Sequence, residues 1–467
     1  MNIQRTKEWR LGAEATNRIR INWSRFDYIL LLTWIFSHTI VIDIAYELKL
    51  FDILSIVAVP KFYSKLAHII RHRDATRTFL ILILVCVTYG SLITFAKTVD
   101  LEWATVVVLR WWRLFSYLVI FLLIRYGYFS RIQNEKFILV ILMSCVIQAL
   151  IIVLQHLNIL PILWPEHELY YRTVVPSGTL GINHVNHVIY MTVGLGSVLA
   201  YSSFSSPRKR TRSVIAIVAA PLLVAAMFIG EARLSFVALA VFGVFLLRRS
   251  AGWKFVVMLA SMIAVVGLVT KIDVIDMADE LWSHQLETKV ERREAQGAEG
   301  FQAIDPGRHA ILVWTINTIL DRPDYLITGI GYQNFASAGG PVSAHNTYFQ
   351  ALIELGLVGF VAWMGFFVTI YRTMSEVERH AGPYERNIML AGKAALLAIA
   401  VSGFFNDTLY PVRNNNGFLG FALAFFAIAS SRVWGQKGRQ EASSRVQKRR
   451  GARMLYRMDS QRSTQGR

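Results

Sequence analysis

Residues 326–360, LITGIGYQNFASAGGPVSAHNTYFQALIELGLVGF, indicate both the fold class and the position of a candidate site. Gly329 and Gly331 form a turn, which is followed by a polar segment that ends in His345 and Asn346. An apolar helix long enough to enter a membrane begins directly after this pair. We therefore expect the His-Asn pair to lie where water meets lipid. An imidazole titrates near neutral pH and can accept a proton, so this position is a candidate reaction site.

The composition of the whole chain is typical of a membrane protein. Of its 467 residues, 54% are hydrophobic and only 17% are charged, whereas a soluble protein has about 25% charged residues. Apolar runs of span length recur from end to end, which predicts an all-α, polytopic membrane protein of about 12 transmembrane helices. The predicted spans are 27–46, 50–70, 78–96, 105–125, 136–156, 181–204, 213–230, 233–248, 254–271, 346–371, 386–406 and 413–434.

The charges of the connecting segments predict the orientation. The leader 1–26 has a net charge of +4 and the tail 432–467 a net charge of +9, while the connection 271–345 has a net charge of −5. Basic residues flank the cytoplasmic ends of spans, so both termini are expected in the cytoplasm and the acidic connection outside. The predicted organisation is a basic leader (1–26), spans 1–9 (27–271), a periplasmic loop with short helices (272–345), spans 10–12 (346–434) and a basic, disordered tail (435–467).

Several function classes do not fit this pattern. The basic segments that could bind nucleic acid lie at span ends, where topology already accounts for them, so no nucleic-acid partner is expected. Cys86 and Cys145 lie inside spans and have no zinc or disulfide spacing, so they are interpreted as buried free thiols. His184 and His187 lack a third metal ligand at a suitable spacing and are interpreted as polar lining. No metal site is predicted.

Two arginines outside the apolar segments are candidate anion ligands. Arg308 follows Asp305 and Pro306, which have the pattern of a helix start, and a cation in the first turn is disfavoured by the helix dipole. It either binds an anion or is a solvated loop residue. Arg233 ends the short connection that begins at Gly230, so it is expected at the outer interface. Its guanidinium either extends to the interface without a function or binds a phosphate through two nitrogens.

Two further arginines lie within the fourth predicted span, in the segment LRWWRLF. Charge at this depth usually lines a cavity or pairs with another charge, so Arg110 and Arg113 allow that interpretation. Trp111 and Trp112 favour the alternative, an aromatic belt at the membrane interface.

The motif of the opening stretch resembles that of the O-antigen ligase and O-antigen (exopolysaccharide) polymerase superfamily. The matching residues are Gly329, Gly331, His345, Asn346, Gln350, Glu354 and Gly356. The resemblance covers roughly residues 175–430 and extends to Arg233, to Arg308 with the following Trp314, and to Asn186. One departure is Glu231-Ala232, where the family more often has small hydroxyl-containing residues before the arginine.

The resemblance implies an inverting, metal-independent glycosyltransferase of the bacterial inner membrane, which needs no cofactor. Its donor would be a polyprenyl-pyrophosphate-linked glycan, and its acceptor a saccharide on lipid A-core or on a growing polysaccharide. His345 would activate the acceptor hydroxyl, while Arg308 and Arg233 would bind the pyrophosphate. Asn346, Gly329, Gly331, Asn186 and Gln350 would bind substrate.

Two other functions stay open at this point. One is a repeat-unit polymerase, which the short first outer loop, about 157–180, disfavours relative to a ligase. The other is a transporter or flippase, which would need inverted repeats and broken helices that the sequence does not contain.

Overall fold

The computed structural model describes residues 23–37, 50–70, 74–97, 101–127, 129–162, 184–202, 209–229, 233–247, 306–335, 338, 344–406, 408–411 and 416–431. These residues form helices and turns, with no strand among them, so the all-α prediction is confirmed. The helices are α1 (Arg25–Phe36), α2 (Leu50–Ile70), α3 (Ala75–Lys97), α4 (Leu101–Tyr126), α5 (Arg131–His156), α6 (His184–Ser202), α7 (Lys209–Ile229), α8 (Arg233–Leu247), α9 (Pro306–Asp321), α10 (Tyr325–Thr328), α11 (Thr347–His380), α12 (Pro383–Ser402) and α13 (Asn416–Ala429).

Five of these helices are long and apolar enough to cross a membrane, namely α2, α3, α4, α5 and α11. Each predicted span except 254–271 overlaps a helix, and that span lies outside the described residues, as do most of the leader, the first part of the predicted periplasmic loop and the tail. The number of twelve spans and the domain boundaries therefore stay predictions. The several apolar helices support a multi-pass membrane protein.

Local sequence signals explain where the helices begin. Ser24 and Ser130 each start a helix with a capping box, in which the serine side chain and the third helical residue bond to each other's backbone. Pro306 and Pro383 occupy the first position of α9 and α12, where a missing N–H costs nothing. The helix start predicted at Pro306 is thus confirmed, while Asp305, the predicted cap, lies outside the described residues.

The helix that follows the His-Asn pair is longer than predicted. The sequence predicts a span that ends at residue 371, but α11 continues to His380. Met374 and Val377 remain buried in this extension, and Glu378 accepts a hydrogen bond from Lys393 of α12. This packing stabilises the extra turns beyond the apolar run.

The helices pack around a continuous apolar core. Helix α11 lies along α3, α4 lies along α13, and α6 contacts α5, α7, α12 and α13. Helix α13 begins shortly after Tyr410, which is bonded to Glu354 near the start of α11. Two contacts show that helix α6 runs parallel to α13. The rings of Tyr190 and Phe421 stack with their centroids 4.3 Å apart, and further along both helices Gly196 lies against Phe425. The starts of α6, α11 and α13 therefore share one end of the bundle, which we call the His345 end.

Candidate functional site

The His345 end of α11 is tied to the end of α12. Asn346 caps α11, and its side-chain oxygen accepts hydrogen bonds from the N–H groups of Tyr348 and Phe349 at 2.9 and 3.1 Å. Its Nδ2 donates to Phe404 O at 2.9 Å, and the N–H of Thr347 donates to Gly403 O at 2.8 Å. The backbone that follows His345 is thereby fixed.

The backbone before His345 is also fixed, by Gln350 one turn into α11. The N–H of Ala344 donates to Gln350 Oε1 at 2.6 Å, and both residues are buried. His345 itself is exposed and has a φ of 46°, a left-handed conformation that histidine adopts more readily than most residues. An exposed imidazole thus stands between two anchored neighbours.

The glycine turn is packed against a kink in α11. Gly356 has a φ of 67° inside the helix, and this break leaves the carbonyls of Ile353 and Glu354 without their usual helical donors. The N–H groups of Ile330 and Gly331 donate to these carbonyls at 2.8 and 3.2 Å. The turn that contains Gly329 and Gly331 therefore packs directly on the kink at Gly356.

The space around this contact explains why glycine is present on both sides of it. A Cβ on Gly329 would lie 2.2 Å from Glu354 O, and one on Gly356 would lie 2.1 Å from Ile327 O. A Cβ on Gly331 would lie 2.5 Å from Thr94 Oγ1, and this hydroxyl donates to Tyr332 O at 2.8 Å. These contacts give Gly329 and Gly331 a packing role, and substrate contact by either glycine stays a prediction.

Glu354 lies at the centre of a buried polar network. Its Oε1 accepts a hydrogen bond from Gln350 Nε2 at 2.7 Å. Its Oε2 accepts from the backbone N–H of Gln333 at 2.9 Å and from the Tyr410 hydroxyl at 2.8 Å. Glu354 is only 1% exposed. The carboxylate therefore connects the glycine loop, the first turns of α11 and the segment before α13.

Arg110 and Arg113 are buried inside the bundle, and both are bonded to polar groups. Arg113 forms a two-bond ion pair with Asp52 of α2, at 2.9 and 2.6 Å, and Arg110 donates to Gln333 Oε1 at 2.8 Å. The interpretation of pairing with another charge is therefore confirmed for Arg113, while Arg110 is bonded to a neutral amide and the interfacial belt stays a prediction. Arg110 is thereby linked through Gln333 to the same set of buried polar groups as Glu354.

The loop tyrosine beside this set stays neutral. Tyr332 is fully buried, and burial raises the pKa of its phenol above the ordinary range, with the Glu354 charge adding to the effect.

Helix α9 places the backbone of Arg308 near the same end. A small apolar cluster joins Ile311 of α9 to Ile330, Phe335, Ala344 and Ile353, and Trp314 packs edge-on against Phe335 at 4.7 Å. Ile311 lies one turn after Arg308, and Ala344 directly precedes His345. The start of α9 and the His345 segment therefore belong to one packed unit.

The backbones of Asn186 and Arg233 also lie at the His345 end. Asn186 is in the first turn of α6, and Arg233 is the first residue of α8. Helices α6, α7 and α8 are joined by short connections and run antiparallel in turn, so α6 and α8 begin at the same end. The side chains of Asn186, Arg233 and Arg308 lie outside the described part of the structure.

The sequence interpretation missed the extent of the buried network. Glu354 entered it only as a motif match, and Gln333, Tyr410 and Arg110 were not assigned to a site. The available signal was an acidic residue inside an apolar segment, which usually indicates a partner. Gln333 lies 21 residues before Glu354 and Tyr410 lies 56 after it, so helical spacing cannot reveal either contact.

The described ranges contain no candidate metal-binding cluster. In those ranges, no group of three or more His, Cys, Asp or Glu side chains is arranged to hold an ion. The buried thiol of Cys145 donates to Tyr190 O at 3.4 Å, and Cys86 is half-buried on α3.

The fold and this site define a multi-pass helical membrane protein with a polar, hydrogen-bonded centre at one end of the bundle. The family described as O-antigen ligase matches residues 218–364, a segment that contains Arg233, Arg308, His345 and Glu354. The resemblance of this chain to the O-antigen ligase superfamily is thereby confirmed over that segment, and it is a superfamily of glycosyltransferase-like enzymes. No curated protein matches the chain.

Proposed function

We propose that this protein transfers a glycan from a polyprenyl-pyrophosphate donor to a saccharide acceptor on the periplasmic face of the bacterial inner membrane, as an O-antigen ligase. The observation that carries the proposal is the exposed His345, held between two anchored neighbours inside the segment that matches the family. The backbones of two arginines, Arg233 and Arg308, lie in the first turns of helices at the same end of the bundle. This combination of one base and two cations suits glycan transfer from a pyrophosphate.

The proposed reaction is a direct displacement at the anomeric carbon of the donor. The acceptor hydroxyl loses its proton to the His345 imidazole while its oxygen forms a bond to the anomeric carbon. The bond between that carbon and the pyrophosphate oxygen breaks, and the polyprenyl pyrophosphate leaves with the electron pair. Attack from the face opposite the leaving group inverts the anomeric centre.

Arg233 and Arg308 would stabilise the charge that develops on the leaving group. A guanidinium binds two phosphate oxygens in one plane, and such contacts near lipid are strengthened by the low dielectric. Two arginines would also supply the electrostatic stabilisation that a divalent cation gives in many other phosphate-leaving reactions. Asn186 and Asn346 would orient the sugars, while Gln350, which is buried and bonded to Ala344 N and to Glu354, would position the residues around them.

The deletion phenotype separates a ligase from a polymerase. Cells that lack the gene should accumulate long lipid-linked glycan that never reaches the outer-membrane acceptor, and a plasmid copy should restore transfer. Accumulation of single repeat units would instead assign the protein to the polymerase class. Unchanged surface polysaccharide would contradict both.

A further inference from the structure

The buried carboxylate of Glu354 lies two hydrogen bonds away from the backbone N–H of Ala344, the residue before His345. Glu354 Oε1 accepts from the Gln350 amide, and the same amide accepts from the N–H of Ala344 at 2.6 Å. Ala344 directly precedes the left-handed His345, and the Gln350 side chain is the one link between the carboxylate and this N–H. The orientation of the Gln350 amide therefore determines whether the backbone before His345 keeps its acceptor.

Glu354 determines the orientation of that amide. A carboxylate only accepts hydrogen bonds, so the NH₂ group of Gln350 must face Glu354 and its oxygen must face Ala344. The other carboxylate oxygen accepts from the N–H of Gln333 and from Tyr410, which fixes Glu354 itself. Arg110 donates to the side chain of Gln333 and so adds a buried cation behind this network.

We infer that Glu354 is a positioning residue for His345, acting through Gln350 and the N–H of Ala344. This inference rests on the proposed role of His345 in glycan transfer. It assigns Glu354 no contact with substrate, because its carboxylate is buried and bonded to internal donors. Its effect should therefore appear in turnover and not in donor affinity.

The substitution Glu354→Gln is the sharpest perturbation, because it keeps the size of the side chain and changes one acceptor into a donor. If the new NH₂ takes the Oε2 position, it meets the N–H of Gln333. If it takes the Oε1 position, it meets the NH₂ of Gln350. Rotation of the Gln350 amide removes that clash of two donors but turns its NH₂ towards the N–H of Ala344, which creates another. Every arrangement leaves two donors facing each other.

An exchange of the two side chains restores the four hydrogen bonds described above, those from Ala344 N, the amide at the neighbouring position, Gln333 N and Tyr410. In the double variant Gln350→Glu/Glu354→Gln, the carboxylate at position 350 accepts from Ala344 N and from the amide at position 354. The oxygen of that amide then accepts from Gln333 N and Tyr410. The exchange therefore separates the hydrogen-bond pattern from the exact position of the charge.

The test measures kcat and the donor KM of purified protein with a lipid-linked glycan donor, after folding has been checked by gel filtration. We expect Glu354→Gln to lower kcat by about 10- to 100-fold with a donor KM within about twofold of wild type, the scale for a small displacement of a reacting group. The exchange variant should recover kcat to within about fivefold of wild type. In a His345→Ala background, Glu354→Gln should cause no further loss, because the two residues act as one unit.

The matched control is Glu378→Gln, the same change at another buried carboxylate of α11. Glu378 accepts from Lys393 and Arg386 at the opposite end of that helix, so its loss should leave kcat of the folded protein unchanged. Any one of three results would overturn the inference: Glu354→Gln has a wild-type kcat, its loss is additive in the His345→Ala background, or the exchange variant does not recover kcat. If Glu354→Gln does not fold, the exchange variant decides, and it must be both folded and active.

The His345→Ala variant separates this inference from the proposed function. If it is slow while Glu354→Gln turns over at the wild-type rate, the proposed function stands and only the positioning role fails. If it turns over at the wild-type rate, the role proposed for His345 fails and the positioning role fails with it.

Discussion

The contact between the glycine loop and the kink of α11 predicts a large effect of the substitution Gly356→Ala. Gly356 has φ 67° and ψ −177°, a backbone region that is essentially restricted to glycine. An added Cβ would lie 2.1 Å from Ile327 O and 2.9 Å from the N–H nitrogen of Gly329. Both of these atoms belong to the backbone, so no side-chain rotation can relieve the overlap.

The expected cost follows from the contacts that must be lost. Forcing alanine into this backbone region costs about 1–3 kcal/mol. Separating the loop from α11 would also leave the carbonyls of Ile353 and Glu354 without the donors that Ile330 and Gly331 supply, at about 1–3 kcal/mol for each buried group. The total of about 3–9 kcal/mol is a large part of the roughly 5–15 kcal/mol by which a folded protein is typically stable.

The assay is thermal unfolding of the purified protein in detergent, together with the rate of glycan transfer. The control is Gly243→Ala in α8, where an added Cβ would have no side chain and no backbone outside its own helical turns within 4 Å. Alanine favours a helix over glycine by about 1 kcal/mol, so the control should keep or raise the unfolding midpoint. Gly356→Ala with a wild-type midpoint and wild-type transfer would refute the argument.

Three further predictions concern topology, metal dependence and the buried ion pair. A periplasm-specific reporter fused after residue 300 should be active, and cytoplasm-specific reporters should be active after residues 210 and 440; cytoplasmic activity at 300 would contradict the site assignment. Transfer by the purified enzyme should be undiminished in excess EDTA, and a loss that Mg²⁺ or Mn²⁺ restores would refute the role given to the arginines. Asp52→Ala should destabilise the protein by about 3–5 kcal/mol, because it leaves Arg113 buried without its ion-pair partner. The double variant with Arg113→Met should recover part of that loss, and a midpoint below that of Asp52→Ala would contradict this account.

The helices could be predicted from the sequence wherever the signal was local. The apolar run 50–70 contains Lys61 and Lys65, yet it forms one helix, as its apolar length predicts. The contacts that hold these lysines, from Lys65 to Asp27 at 2.9 Å and from Lys61 to the ring of Phe26, lie on another helix and could not be predicted from the run itself. The extension of α11 to His380 could not be predicted from hydropathy. It depends on packing against α12, which a window along one segment does not contain.

The candidate site was predictable only where its residues are close in the chain. The cap at Asn346 and the positions of Arg233 and Arg308 at helix starts follow from spacing. The docking of Gly329 on Gly356 and the convergence of Gln333 and Tyr410 on Glu354 depend on tertiary contacts. Neither periodicity nor composition carries information about such pairs.

His345 is proposed to take a proton during glycan transfer, and a comparison of donor binding with turnover in the His345→Ala variant tests this role. We expect wild-type donor affinity with turnover reduced by roughly 10²–10⁴-fold, because a general base acts in the chemical step. Arg233→Lys and Arg308→Lys should instead weaken both, since a point charge does not reproduce a two-nitrogen contact. His380→Ala, which removes an exposed histidine at the other end of α11, is the matched control and should behave as wild type. Wild-type turnover by correctly inserted His345→Ala protein would contradict the claim.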